Sequence, residues 1–277
     1  MVNRPRCFLR RLMDCLPYVF IDFAAHALPL STIRTLTSLN DQLWAEIVKT
    51  HLANRQDNEL SFKFLTVDDS EKSQVLVRDM SRAIDYFNIS TLQEFQKQEL
   101  KYQRITKLTL SNRCLYSAFP LLDFDIGLQQ VKVFVNFSCD ATITTLELKG
   151  YFENGPSHLE DLWKIPVKTL TSRLWEGSNN LDLVESWHLE NNPNLEEIYC
   201  QDLSRLNELY TKWNSISEAR NLRICGHHTG DRTWIQKLGF QVLPLGRKDV
   251  FRFVFMKTHS KKNVKLTVIG IPYDQNA

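Results

Sequence analysis

Thr145-Leu146-Glu147-Leu148 and Asn221-Leu222-Arg223-Ile224 are two copies of a pattern in which a leucine is followed, two positions later, by another apolar residue. Related runs lie at 107–110, 168–170 and 194–198. Apolar residues at every second position predict β-strands with one buried face. The leucines at 146, 170, 195 and 222 are 24, 25 and 27 residues apart. This regular spacing predicts that one strand-containing unit is repeated along the C-terminal part of the chain.

The spacing resembles that of leucine-rich repeats, which have a period of roughly 20–29 residues. Such a unit has one strand followed by a helix or loop, and it buries its apolar face only by stacking on neighbouring units. We therefore predict parallel strands whose leucines share one core: Leu108, Leu146, Leu170, Leu195 and Leu222. Their neighbours are expected to be exposed on one target-binding face: Thr109, Glu147, Glu196 and Arg223. Regular repeats also carry an asparagine ladder, which is missing here, so an ordinary α/β domain with leucine-rich strands is the alternative.

The remaining periodicity predicts further elements. A strand is expected at 59–67, and helices are expected at 75–87 and 91–102. Short runs rich in β-branched and aromatic residues predict additional strands at 105–110, 131–137, 143–148, 250–255 and 264–269.

The composition limits the possible functions. The 277 residues carry 34 Lys and Arg against 32 Asp and Glu, which gives a net charge of +2. This balance argues against a strongly basic nucleic-acid-binding protein. There are only 9 glycines, so few tight turns are available to cradle a phosphate, and the composition favours a binding scaffold. Six scattered cysteines without a CxxC pair indicate a reducing compartment.

Searches for catalytic motifs give little. The sequence has no GxGxxG, HExxH or GxSxG. The stretch Cys225-Gly226-His227-His228 contains metal-ligand residue types, but a surface loop after a strand is the favoured interpretation. Asp123-Phe124-Asp125 is interpreted as a loop, and the lysines around 257–265 as a solvated hairpin end. No metal site and no cofactor are therefore expected.

The N-terminal region is the most informative about function. From residue 14 to about 55 the apolar spacing is helical, with breaks at Pro17 and at Leu28-Pro29, so three short helices are predicted. The sequence Met13-Asp14-Cys15-Leu16-Pro17, the leucines that follow it and Trp44 together resemble an F-box. The opening also resembles that of the divergent F-box-like families of nematodes.

The F-box resemblance implies a function. An F-box is a three-helix module that docks on the Skp-type adaptor of a cullin–RING ubiquitin ligase, and it does so through apolar residues laid into a groove. The matched positions imply this adaptor-binding set: Leu16, Pro17, Phe20, Ile21, Leu28, Ile33, Leu36, Leu39 and Trp44. Trp44 falls one residue later than usual, and Asp41-Gln42 replaces the usual basic pair. The alternative is that these apolar residues simply pack on the C-terminal domain.

Together these interpretations predict an α+β protein. It would have an unstructured lead at 1–12, an F-box-like helical module at 13–57 and a leucine-rich-repeat-like domain at 58–277. The resemblance implies a non-enzymatic substrate-recognition subunit of a cullin–RING ubiquitin ligase, located in the cytoplasm or nucleus. Its expected partners are the adaptor, the ligase and an unknown protein target, and neither nucleic acid nor membrane is expected. The alternatives are an interaction protein without a ligase role or an enzyme of unrecognised class.

Overall fold

The computed structural model describes residues 18–28, 30–38, 42–67, 70–80, 89–97, 102–112, 115–138, 143–150, 159–174, 181–228, 233–243, 253–260 and 263–272. Within these residues the protein is a mixed α/β structure with a large, mostly parallel sheet. The predicted lead at 1–12 and the candidate residues Leu16, Pro17 and Leu39 lie outside the described residues.

The helices, in chain order, are α1 Tyr18–Ala27, α2 Leu30–Leu36, α3 Gln42–Asn54, α4 Leu92–Gln96, α5 Phe124–Ser138, α6 Glu160–Trp163, α7 Leu181–Asn191, α8 Leu206–Ser215 and α9 Thr233–Lys237. The strands are β1 Gln56–Val67, β2 Ser70–Asp79, β3 Ile89–Thr91, β4 Gln103–Asn112, β5 Leu122–Asp123, β6 Thr145–Gly150, β7 Thr169–Leu174, β8 Glu197–Asp202, β9 Leu222–His228, β10 Gln241–Leu243, β11 Phe253–Thr258 and β12 Lys265–Pro272. No helix among the described residues is long and apolar enough to cross a bilayer.

The chain forms two compact units. Unit 1 contains Met1–Glu59 and Val77–Thr106, and unit 2 contains Leu60–Leu76 and Lys107–Ala277. The first boundary lies close to the predicted domain boundary at 57/58. The second segment of unit 1 was not predicted to belong with the N-terminal helices.

Unit 1 is built around α1, α2 and α3, which confirms the prediction of three helices. Their shared core consists of Ile21, Ala25, Ile33, Trp44, Ile47 and Val48, and Ala24, Leu28, Leu36 and Leu52 pack against it partly buried. β-Branched isoleucine and valine, together with one tryptophan, occupy its centre.

Polar contacts fix the end of α1. The helix ends at Ala27, and the last carbonyl groups of a helix have no partner within it. Arg55 Nη1 and Arg104 Nη1 both donate to the carbonyl oxygen of Leu28, at 2.6 and 2.8 Å. Nearer the middle of α1, Asp22 Oδ1 lies 2.9 Å from Nε2 of His51 in α3. These bonds join α1 to the end of α3 and to β4 within unit 1.

The sheet has the strand order β10-β11-β12-β9-β8-β7-β6-β4-β1-β2-β3, with β5 paired to β2 off this path. Most of its strands belong to unit 2. The six strands from β12 to β4 are parallel to one another. Antiparallel pairs occur where β10 meets β11, where β11 meets β12 and where β5 meets β2. The side-by-side parallel arrangement predicted for the leucine-containing strands is confirmed.

One row of side chains crosses all six parallel strands. It consists of residues that occupy equivalent positions in the ladders, and we call it the leucine row: Leu108, Leu146, Leu170, Ile198, Ile224 and Val268. Each of the six is completely buried. Leu195 and Leu222 are buried too, but they precede this row, by three and two residues of their own segments. Isoleucine thus replaces leucine in the row on β8 and β9.

Helices of unit 2 supply further buried residues. Trp163 at the end of α6 and Trp213 in α8 are each 1% exposed, and Leu206 and Leu209 of α8 are also buried. Between α7 and β8, the side chain of the buried Asn192 donates through Nδ2 to the carbonyl of Val167 and accepts from the backbone nitrogen of Asn194. This asparagine joins the segment that leads into β8 to the segment that leads into β7. It is a single bonded asparagine, and a regular asparagine ladder was not expected.

Several sequence predictions for these elements are wrong. Residues 131–137, predicted as a strand, belong to helix α5. Residues 75–79, predicted as the start of a helix, belong to strand β2, in which five consecutive residues are buried. The 225–228 stretch, interpreted as a loop, is the second half of β9. Within the helix predicted at 91–102, α4 covers Leu92–Gln96, and residues 98–101 lie outside the described residues.

Candidate functional site

Two surfaces of the described structure are candidates for function. The first is the outer side of helix α1 in unit 1. The second is the face of the parallel sheet in unit 2 that lies opposite the leucine row.

The outer side of α1 carries exposed aromatic residues. Phe20 is 51% exposed and Phe23 is 67% exposed. Residues three apart lie on the same side of a helix, so these two phenylalanines form one apolar patch, which we call the α1 patch. Tyr18 is also 51% exposed. An exposed pair of large aromatic residues on a helix that already has its own core is a typical feature of a protein-binding surface.

The described members of the predicted adaptor-binding set differ in their exposure to solvent. Phe20 is exposed, whereas Ile21, Ile33 and Trp44 are at most 5% exposed and form the core of the helical unit. Direct contact of those three with an adaptor is therefore ruled out in this conformation, and their role is to hold α1 in place. Leu28 and Leu36 are half-buried against the same core. Phe23, which the sequence comparison missed, is the most exposed large apolar residue of α1.

The second candidate surface is the polar face of the sheet. Side chains alternate between the two faces of a strand, so the residues next to the leucine row point the opposite way: Thr109, Glu147, Thr171, Tyr199 and Cys225. The flanking row on the same face includes Lys107, Thr145, Thr169, Glu197 and Arg223. We call these two rows, together with the residues two positions further along each strand, the polar face.

Glu147 lies at the centre of a cluster of cations on this face. Its carboxylate contacts the ammonium groups of Lys107 and Lys149, the second at 3.0 Å, and Arg173 Nε at 3.2 Å. Lys107 lies on β4, Lys149 on β6 and Arg173 on β7, and the pleat of three adjacent strands brings them to one point. We call these four residues the Glu147 cluster.

The charge state of Glu147 follows from this environment. Its side chain is only 2% exposed, and burial alone would raise the pKa of the carboxyl. The hydrogen bond and charge of Lys107 and the charge of Lys149 outweigh burial, and the pKa lies below its ordinary value. Glu147 is therefore ionised at neutral pH and is surrounded by three cations.

The polar face continues across β8 and β9 with a tyrosine–histidine pair. The hydroxyl of Tyr199 lies 3.0 Å from His227 Nε2, and the guanidinium carbon of Arg173 lies 5.9 Å from the centre of the Tyr199 ring. Burial raises the pKa of Tyr199, so its hydroxyl stays protonated. Further along, Arg223 Nη1 donates to Glu197 Oε2 at 3.0 Å.

The four predicted target-binding residues do not share one exposure. Glu196 and Arg223 have exposed side chains, at 67% and 56%. The prediction that Thr109 and Glu147 are exposed is wrong, because they are 2% and 1% exposed. Lys107, Lys149 and Arg173, whose side chains reach across Glu147, were not predicted. They come from three separate segments, and only the register of the strands brings them together.

The described side chains of the Cys225–His228 stretch, Cys225 and His227, have no features of a metal or nucleophile site. Burial raises the pKa of the Cys225 thiol to about 12, so the reactive thiolate is suppressed. Among the described residues, no group of three His, Cys, Asp or Glu side chains is placed to bind a metal ion. His227 instead contacts Tyr199.

Comparison of the chain with protein-family models, with curated proteins and with solved structures found no match. Its function is therefore argued from the geometry of the two surfaces.

Proposed function

We propose that this protein is a non-catalytic substrate-recognition subunit of a cullin–RING ubiquitin ligase in the cytoplasm or nucleus. In this proposal the three helices of unit 1 are an F-box-like module that binds a Skp-type adaptor, and the strands of unit 2 are a leucine-rich-repeat-like domain that holds a target protein. No cofactor takes part.

The observation that carries the proposal is the α1 patch. The three-helix core is already filled by residues such as Ile21, Ile33 and Trp44, yet Phe20 and Phe23 remain more than half exposed. Full burial of a phenylalanine contributes about 1.5–3 kcal/mol, so burying this pair in an apolar groove supplies a large part of the affinity of a protein interface. Aromatic anchors of this type dominate such interfaces.

The register of unit 2 supports the repeat-like part of the proposal. Equivalent residues of the leucine row at 146, 170, 198 and 224 are 24, 28 and 26 positions apart, which is close to the roughly 20–29-residue period of leucine-rich repeats. A stack of parallel strands presents a continuous face to a partner. The polar face is that surface here.

The first prediction tests the docking mode by co-purification. The double variant Phe20→Ser with Phe23→Ser should lose the Skp-type adaptor when the tagged full-length protein is isolated from cells, because truncating a central aromatic anchor costs about 2 kcal/mol or more. The folded core should persist, since both side chains point away from it. Immunoblotting of adaptor and cullin, normalised to the recovered bait, gives the measurement.

The matched control is Ile126→Ser with Val133→Ser, which removes two side chains of similar exposure, 52% and 57%, from α5 in unit 2. This control should retain the adaptor. Equal recovery of adaptor with the α1 variant and with the wild type would contradict the docking mode. Absence of adaptor and cullin from the wild-type isolate would instead favour an interaction protein without a ligase role.

A further inference from the structure

The Glu147 cluster has more positive charge than its own carboxylate balances. One ionised glutamate contacts Lys107, Lys149 and Arg173. Lys107 also has a further interaction, whereas Lys149 and Arg173 have only Glu147 as a carboxylate partner among the described residues, so these two cations alone exceed its single negative charge by one. The nearby Arg223 and Glu197 form a pair that sums to zero and does not offset this excess. A concentrated excess of charge on a sheet face attracts ligands of the opposite sign.

The three cations differ in how far they reach into solvent. The side chain of Arg173 is 53% exposed, that of Lys149 is 26% exposed and that of Lys107 is 17% exposed. A guanidinium has five N–H donors, and the contact between Arg173 and Glu147 involves Nε. Glu147 is thus a buried anion that orients the three cations. Arg173, whose side chain is the most exposed of the three, is the group best placed to contact a ligand.

The surroundings fit a peptide ligand. Thr145, Thr169 and Thr171 lie on the same face and are partly exposed, which offers hydroxyl groups for hydrogen bonds to a backbone. Tyr199 adds an aromatic surface next to Arg173. The chain as a whole has a net charge of only +2. Glu197 lies on the polar face at the start of β8, and Glu196 directly precedes it. Acidic side chains at this edge disfavour the long phosphate track of a nucleic acid.

We propose that the Glu147 cluster is the subsite that recognises an acidic segment of the target protein, with carboxylates of Asp or Glu bound by Arg173 and Lys149. This inference rests on the proposed function in naming a ligase target, but the binding step itself needs no adaptor. The cations come from three neighbouring strands and meet at one carboxylate. The subsite therefore suits one acidic side chain, or two close together, within an extended segment of the target.

The test uses the purified full-length chain and a fluorescein-labelled decapeptide of alternating Glu and Ser, measured by fluorescence polarisation. A decapeptide with Gln in place of Glu is the neutral probe, and a single-stranded DNA decamer is the polyanion probe. We expect binding of the Glu peptide, little binding of the Gln peptide, and weakening when salt rises from about 50 to about 300 mM, because screening shortens the reach of exposed charges.

Variants separate the subsite from general charge effects. Arg173→Gln and Arg173→Glu should weaken Glu-peptide binding, the second by about tenfold or more, which corresponds to at least about 1.4 kcal/mol. Lys212→Glu makes the same charge change on α8, outside the polar face, and should alter binding by less than about twofold. Both positions are exposed enough for the variants to fold, and circular dichroism checks this.

Glu147→Gln gives the opposite expectation. It leaves the three cations without their carboxylate, so Glu-peptide affinity should rise by several-fold even though the protein becomes less stable. The Phe20→Ser, Phe23→Ser variant should bind the peptide like the wild type, so that loss of adaptor binding and loss of peptide binding are distinguishable. Equal Glu-peptide affinity for the wild type, Arg173→Glu and Glu147→Gln would overturn the proposal, and so would DNA that binds more tightly than the peptide and displaces it.

Discussion

His188 shows how a single buried residue stabilises unit 2. Its side chain is fully buried, with Nε2 placed 2.7 Å from the carbonyl oxygen of Trp163 and Nδ1 placed 3.0 Å from Asn192 Nδ2. The carbonyl can only accept, so Nε2 carries the proton and Nδ1 accepts from Asn192. Both ring nitrogens of the neutral imidazole are therefore satisfied. Protonation of Nδ1 would break the hydrogen bond that Nδ1 accepts from Asn192.

This arrangement predicts a specific acid sensitivity. Burial lowers the pKa of His188 from 6.5 to about 4, against the opposing effect of its hydrogen bond to Trp163. The unfolded chain therefore takes up the proton first as pH falls. The contribution of neutral His188 to stability is complete above about pH 6.5 and is lost as the pH falls towards 4, on the order of 3 kcal/mol in total.

The measurement is urea unfolding followed by tryptophan fluorescence at pH 7 and at pH 5. His188→Gln should be less stable than the wild type at pH 7, and its stability should fall less between the two pH values. His26→Gln is the comparison in unit 1, because burial also lowers the pKa of His26, and it should leave the His188 contribution intact. The same decrease in stability for the wild type and His188→Gln would show that His188 is not the source.

At the scale of elements, helix α5 depends on one glycine for its approach to the sheet. A methyl group added at Gly127 would overlap Ser73 Oγ and would lie 3.1 Å from Ser73 Cβ and 3.2 Å from Phe62 Cε2. Ser73 belongs to β2 and donates to the carbonyl of Asp123 just before the helix. The helix therefore packs directly on the strands at this position, and the Phe62 ring contacts the Phe124 ring at its start in a tilted arrangement, with the ring centres 5.6 Å apart.

Gly127→Ala should therefore destabilise the protein by about 1–3 kcal/mol. In an exposed helix the same change would stabilise the protein by about 1 kcal/mol. A loss of stability would therefore indicate that Gly127 lies in close contact with Ser73. A double-mutant cycle with Ser73→Ala provides the measurement, because removing the hydroxyl relieves part of the overlap. The two changes should together cost less than the sum of the single changes. Strict additivity, or a stabilising Gly127→Ala, would show that α5 does not lie this close to β2.

The same helix shows why some elements could not be predicted. Residues 131–137 have the β-branched and aromatic composition of a strand, but Leu128, Val131 and Val135 are buried at spacings of three and four, as in an amphipathic helix. This helical periodicity becomes clear only when the sequence is read from Phe124 onward. Conversely, residues 73–77 of β2 are all buried, so the period of two that marks a half-exposed strand is absent there.

At the scale of the whole molecule, sequence reasoning recovers local alternation better than sites built from several segments. The alternation around Leu108, Leu146 and Leu170 correctly predicted parallel neighbouring strands. It misplaced the register on β8 and β9, where Ile198 and Ile224 take the positions assigned to Leu195 and Leu222. The prediction relied on the repeated leucines, whereas the row requires only a buried apolar side chain at each position.

The candidate surfaces show the same limit. The F-box-like spacing predicted three helices and included Phe20, which is exposed, but it could not separate core positions such as Ile33 from surface positions such as Phe23. That separation depends on how α2 and α3 pack on α1. Likewise, Glu147 was assigned to an exposed face because it alternates with Leu146 and Leu148, which were expected to be buried. Its burial is caused by Lys107 and Arg173, which lie 40 and 26 residues away in the sequence.

The most direct test of the account is calorimetric titration of the purified full-length protein with a purified Skp-type adaptor. The account predicts saturable 1:1 binding with a negative heat-capacity change, the signature of apolar burial. The Phe20→Ser, Phe23→Ser variant should give no binding, and Arg173→Glu should bind like the wild type. No heat of binding at several temperatures from a protein that is folded by circular dichroism, or undiminished binding by the α1 variant, would contradict the account.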